Sequence, residues 1–170
     1  MFSVGDVVFY STQGVCFIKS VELRKNISGQ KKYYILSPVF NEHSTVMVPV
    51  DNDMLTSRMH PVIEKKEVNK LISLLKSESD LWIQDDTCRR EEYKKIILSG
   101  NREKIAGVIS ALSKESENRR MCGKRLTQSD EYIFEQAKNL LYDEIAYVLE
   151  IDRREIGNYI NNFFLDKSGV

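Results

Sequence analysis

The chain has 170 residues, 42% hydrophobic and 29% charged, which is room for one medium domain or two small ones of ordinary globular composition. Basic and acidic residues balance at 25 each, so the chain as a whole is not a polycation of the kind that coats nucleic acid. No apolar run approaches the roughly 18 residues of a membrane span. Met1 to Asp6 lacks a basic, apolar leader, and three widely spaced cysteines (Cys16, Cys88, Cys122) suit reduced thiols better than a disulfide framework. A soluble, cytoplasmic protein with no membrane partner is expected.

The first 60 residues are rich in β-branched and aromatic residues. Val7 to Tyr10, Val15 to Ile18, Tyr33 to Leu36 and Thr45 to Val48 read as short strands. Gly5-Asp6, Gln13-Gly14, Asn26 to Gly29 and Asn41 to Ser44 separate them as turns. Pro38 and Pro49 cannot donate to a ladder, so each is expected at a strand end or edge. After His60-Pro61 the apolar period becomes helical. Val68, Leu71, Ile72 and Leu75 recur at i, i+3, i+4 and i+7, as do Ile105, Val108, Ile109 and Leu112. A longer stripe runs from Phe134 through Ala137, Leu141 and Ile145 to Val148, and another from Ile156 to Phe163. Start signals at Ser79-Asp80, Thr127 with Asp130, and Asp152 with Glu155 predict helices over about 62–77, 80–98, 102–117, 127–149 and 153–165. Ser99-Gly100-Asn101 divides two of them. The expected fold is α+β, a small antiparallel β unit over 1–60 and an all-α bundle over 61–170.

Charge neutrality is a cancellation. Residues 89–125 carry a local net charge of +6 and residues 126–170 a local −5. A partner senses fields over about a Debye length of 8 Å, so the basic stretch can act as a surface of its own. It contains Arg89, Arg90, Lys94, Arg119, Arg120, Lys124 and Arg125. On a helix Arg90 and Lys94 share a face, as do Arg89 and Tyr93. Such residues neutralise phosphates without reading sequence; the competing reading is a salt-bridged surface, with Glu91, Glu92 and Glu103 interleaved. Trp82, the sole tryptophan, opens the second predicted helix. It reads either as a core anchor or as an exposed wedge beside the basic helix.

Chemistry-bearing motifs are sparse. His43 and His60 have no third ligand at metal spacing, and no CxxC, HExxH, GxSxG or GxxxxGK[ST] occurs. No catalytic residue, metal, cofactor or small-molecule ligand is expected. Residues 144–160 have the rhythm of a helix-turn-helix, with Ala146 as the small residue and Ile151 and Ile156 bridging the pair. Glu150, however, stands where such motifs favour glycine, and the region is acidic.

In order along the chain, these residues resemble the CarD/CdnL family of bacterial RNA polymerase-binding transcription regulators. Val4 to Tyr10, Gly14-Val15 and Thr45 to Val50 are similar to the polymerase-interacting domain shared with transcription-repair coupling factor. Trp82, Arg89-Arg90, Tyr93, Ser99-Gly100-Asn101 and the stripes at 105–112 and 137–149 are similar to the family's helical part. The resemblance implies that residues 1–60 form a Tudor-like small barrel docking on the RNA polymerase β subunit through Arg24 and the strand bearing Val46, Met47 and Val48. It further implies that the helical part contacts promoter DNA without sequence specificity at the upstream edge of the bubble, Trp82 stabilising the open complex. Where many members carry an arginine before the strand-ending proline, this chain has Met47. A monomer is expected. The rival readings are a sequence-specific repressor using 144–160 and a protein–protein adaptor that never touches DNA.

Overall fold

The structure, a computed structural model, describes residues 2–26, 29–41, 43–77 and 79–168. The turns expected at 26–29 and 41–44 include residues 27, 28 and 42, which lie outside the described residues. Two compact units emerge, Met1–Val62 with Leu98–Gly100, and Ile63–Ile97 with Asn101–Val170.

The first unit is a five-stranded antiparallel sheet of β1 (Val7–Tyr10), β2 (Gly14–Asn26), β3 (Gly29–Pro38), β4 (Val46–Pro49) and β5 (Met59–Pro61), with a single-turn helix α1 (Asp53–Thr56) between the last two strands. Strand order is β4-β3-β2-β1-β5. The sheet is open, with β4 and β5 at its edges. Pro38, Pro49 and Pro61 each end a strand, where the missing N–H costs no ladder bond. Val8, Tyr10, Cys16, Ile18, Tyr34, Leu36, Val48 and Met59 form the core on one face. The β2–β3 register slips between Ile18 and Ser20, leaving Lys19 as a bulged extra residue. Beyond the bulge the alternation inverts, so Val21 rather than Ser20 packs on that core. α1 and β5 have no periodic signature in the sequence, and four- and three-residue elements are too short to carry one.

The second unit comprises α2 (Lys65–Leu75), α3 (Asp86–Ser99), α4 (Arg102–Met121), α5 (Gln128–Leu149) and α6 (Ile156–Ser168). Most of the predicted stripe residues are its interior: Val68, Leu71, Ile72, Leu75, Ile105, Val108, Ile109, Leu112, Ala137, Leu141, Ile145, Ile156 and Ile160 are buried, whereas the stripe ends Phe134, Val148 and Phe163 are only half-buried and Tyr159 is exposed. Gly100, directly after α3, adopts φ +67°, the left-handed geometry of a helix C-terminal glycine. Asn101 then caps α4 by accepting from the Lys104 backbone N–H at 3.0 Å. Glu144 on α5 is fully buried; it accepts two bonds from Arg102 at 2.9 and 2.7 Å and one from the Ile63 N–H at 3.1 Å. One carboxylate thereby joins α5 to α4 and to the chain entering α2.

A second buried carboxylate is less well matched. Burial pushes the Asp143 carboxyl up to about 6, although Arg153 at 2.5 Å pulls the other way. The folded state binds this proton more tightly than the unfolded chain, so its contribution to stability declines as pH rises from the unfolded carboxylate range to the folded value. Asp143→Asn cannot ionise and is expected to gain about 1–2 kcal/mol over the parent at about pH 7.5, and little at about pH 4.5. Thermal melts at both pH values check this; a pH-independent change would count against it.

Candidate functional site

The second predicted helix begins six residues later than expected. α3 starts at Asp86, not at 80, and Ser79 to Asp85 forms a non-helical segment carrying Trp82. The physical reason is Arg89. Its Nη1 donates to the carbonyls of Ile83 at 2.7 Å and Gln84 at 3.3 Å, which in a longer helix would accept from their own i+4 N–H groups. Asp85 caps the helix instead, accepting from the Cys88 N–H at 2.7 Å. That hydrogen bond is the main force holding the Asp85 carboxyl below its ordinary range.

Arg89 itself is 1% exposed, which removes it from the set expected to meet DNA phosphates. Nε and Nη2 form a fork with Asp130 of α5 at 3.0 and 2.7 Å, and Nη2 also donates to Asp86 at 2.6 Å. All five guanidinium hydrogens have acceptors, so no donor is left for an external ligand. The i, i+4 rule placed Arg89 and Tyr93 on one face correctly; that face is the buried one. Tyr93 is fully buried, its hydroxyl donating to the Leu81 carbonyl at 2.9 Å, and burial pushes its pKa up to about 12, so it remains a donor. Asp130 is the third residue of α5, with Thr127 as N-cap accepting from its N–H at 3.1 Å. Burial acts to raise the Asp130 carboxyl, but the bonds from Arg89 and Thr127 outweigh it and hold the group below the usual carboxylate range. Trp82 is half-buried, with the Arg89 guanidinium carbon 4.3 Å from its ring centroid. It is an indole with a buried cation over its ring.

Arg90 and Lys94 point the other way. Both are exposed and make no ion pair among the described residues, in contrast to neighbouring Lys95, which pairs with Glu92. They line a shallow cavity of about 590 Å³ with Thr127, Ser129 and the exposed Tyr132. The start of α5, with its positive dipole end, therefore opens onto the same groove. Further along, the loop joining α4 to α5 gathers the remaining basic candidates. Arg120, Lys124 and Arg125 line a cavity of about 500 Å³ that also holds Glu131 and Glu135. Arg120 and exposed Lys124 and Arg125 remain available to solvent, whereas Arg119 is half-buried against Glu115 at 2.6 Å and donates to the Arg125 carbonyl. Arg119 thus organises the loop.

In the sheet unit, strand alternation sorts the four residues expected to meet polymerase. Met47 lies opposite Ile35 and so opposite Ser20, which has the parity of Arg24 on β2. Arg24 and Met47 therefore share a face, and both are exposed. Val48 is fully buried in the core and Val46 packs against it, so of these three strand residues Met47 alone has an exposed side chain, and Val46 and Val48 have only backbone groups to offer a partner. Arg24 pairs with Glu22, two residues along the same strand, at 2.7 Å.

The remaining sequence candidates resolve simply. Burial pushes the Cys16 thiol up to about 12, and a hydrogen bond with Asp85 raises that of Cys88, so neither is an activated nucleophile. Among the described residues no cluster of His, Cys, Asp or Glu could hold a metal ion, and no helix is long and apolar enough to cross a membrane. Between α5 and α6, residues 150–155 form a connection of six, against the three or four of a helix-turn-helix. Glu150 takes the left-handed C-cap position at φ 57°, the role glycine ordinarily fills.

An edge-stranded antiparallel sheet followed by a helical unit with exposed basic and aromatic side chains defines an α+β protein. Residues 2–63 match the CarD-like/TRCF RID domain family, and residues 70–161 match the CarD C-terminal domain family. The chain belongs to the CarD family, and is a transcription-related protein that interacts with RNA polymerase. No curated protein sequence matches it.

Proposed function

We propose that the protein docks on the RNA polymerase β subunit through its sheet unit, a Tudor-like module in this reading. Its helical unit then contacts promoter DNA at the upstream edge of the bubble and stabilises the open complex, without catalysis and without reading sequence. β4 is an edge strand, a position from which strand addition to a partner is possible, and Arg24 and Met47 offer side chains on one exposed face. Arg90 and Lys94 supply unpaired positive charge on the helical unit. The observation that carries the reading is Trp82, a partly exposed indole with the Arg89 guanidinium over its ring. A flat apolar ring held at the surface can replace a stacked base at the edge of melted DNA. Tethering through polymerase raises the effective DNA concentration, so a neutral chain with a local basic face suffices.

The decisive measurement is open-complex lifetime on one promoter with purified polymerase, with and without the protein. A longer lifetime is expected; no change would exclude this mechanism. Two further outcomes follow. Lys94→Ala should lower the salt slope of DNA binding by about one unit, equally on unrelated sequences. Promoter-dependent losses would instead favour sequence readout. Arg24→Glu should weaken β-subunit binding by about 1–2 kcal/mol, because it adds a repulsive rim charge. Unchanged affinity in a titration would relocate the interface.

A further inference from the structure

The backbone on both sides of Trp82 is held by buried side chains of α3. Before it, the Leu81 carbonyl accepts from Tyr93 at 2.9 Å; after it, the Ile83 and Gln84 carbonyls accept from Arg89. Ser79 Oγ also accepts from the Leu81 N–H at 3.3 Å. α4 makes room for this segment at Gly107, where an added Cβ would come within 2.8 Å of Leu81 Cδ1. The segment is irregular in secondary structure, yet three of its carbonyls accept from buried side chains of α3.

Arg89 does two things at once. The edges of its guanidinium are consumed by Asp130, Asp86 and the two carbonyls, and its central carbon lies over the indole, 4.3 Å from the ring centroid. The edge bonds fix the cation and its place over the ring. Asp130, 1% exposed and anchored by the Thr127 hydroxyl at 2.8 Å, ties that cation to the first turn of α5. We propose that Arg89 is the positioning residue for Trp82: held by Asp130, it keeps the indole in one orientation before DNA arrives. The proposal rests on the reading of Trp82 as the DNA-edge residue, and adds that its orientation is set in the free protein. Ordering a loose aromatic side chain on binding would be unfavourable; ordering it in advance removes that cost.

Lysine at this position keeps the charge opposite Asp130 but loses the planar group, the fork on Asp130 and the Nη1 donor that reaches two carbonyls. Because Trp82 is the sole tryptophan, selectively excited fluorescence reports on this one ring. The test uses the full-length parent, Arg89→Lys, the double replacement Arg89→Met with Asp130→Leu, and Trp82→Ala. The double replacement removes the ion pair as a unit and refills the space with apolar groups, a change buried pairs often tolerate. Time-resolved anisotropy of the free protein is read beside open-complex lifetime, with thermal melts to verify folding.

In the parent, the indole should tumble with the protein and show little nanosecond local motion. Both Arg89 variants should gain a fast component and lose most of the lifetime extension lost in Trp82→Ala, on the order of tenfold. A parent indole that is already mobile would overturn the proposal whether or not any variant folds. So would Arg89 variants with parent-like anisotropy. So would a mobile indole with undiminished lifetime, when Trp82→Ala shortens it. If Trp82→Ala leaves the lifetime unchanged, the DNA-edge reading fails separately, and the anisotropy alone judges the positioning.

Discussion

Arg89→Ala is expected to lower stability by about 3–5 kcal/mol, the range for breaking one half of a buried ion pair. The variant leaves Asp130, with a side chain 2% exposed, as a carboxylate met by the Thr127 hydroxyl, the N-terminal dipole of α5 and the weaker field of Arg119. It also strips the Ile83 and Gln84 carbonyls of their donor. The sign of the pH dependence follows from Asp130. Its folded carboxyl lies below the unfolded value, so its contribution is present above the ordinary carboxylate range and is lost as pH falls through the folded value. Without Arg89, burial acts unopposed by that partner and the neutral acid becomes the better-tolerated form. The difference between parent and variant should therefore be largest at about pH 7 and shrink towards about pH 4. Denaturant titrations at the two pH values check this. A loss below about 1 kcal/mol at neutral pH would mean that Asp130 finds water or another partner once Arg89 is gone, and that the ion pair is not what holds this region.

Trp82→Ala should have the largest functional effect with a small structural one. The ring is half-buried and rests on a cation, so its removal forfeits partial burial and one cation–π contact, about 1–2 kcal/mol. A core tryptophan would cost about 3–5 kcal/mol. At the promoter, one aromatic stacking contact can be worth about 1.4 kcal/mol, a tenfold change in the open-complex equilibrium. Polymerase binding should stay intact, because Trp82 belongs to the helical unit and not to the sheet. A large drop in melting temperature, with DNA effects no worse than the loss of fold implies, would show that the ring is a structural anchor after all.

Much of the architecture was written locally. Proline at strand ends, helical stripes such as Val68 to Leu75, the Thr127 cap and the Ser99-Gly100-Asn101 break are all settled by residues within a few positions of one another. Short-range rules reach them, and the family resemblance rests on the same segments. The site depends on longer distances. Arg89 and Arg90 are adjacent and chemically identical, yet one is buried and the other lies in the basic groove. The difference is Asp130, 41 positions along the chain, whose carboxylate draws one guanidinium inward. The start of α3 follows from that same contact, because a side chain claiming the Ile83 and Gln84 carbonyls ends any helix there. Val48 and Met47 divide between core and surface through their pairing with β3, and Arg24 joins the face of Met47 only because of the bulge at Lys19. Periodicity can say that a residue type suits a face. Which partner occupies that face is a matter of long-range hydrogen bonding, and for Trp82 the partner is a buried guanidinium.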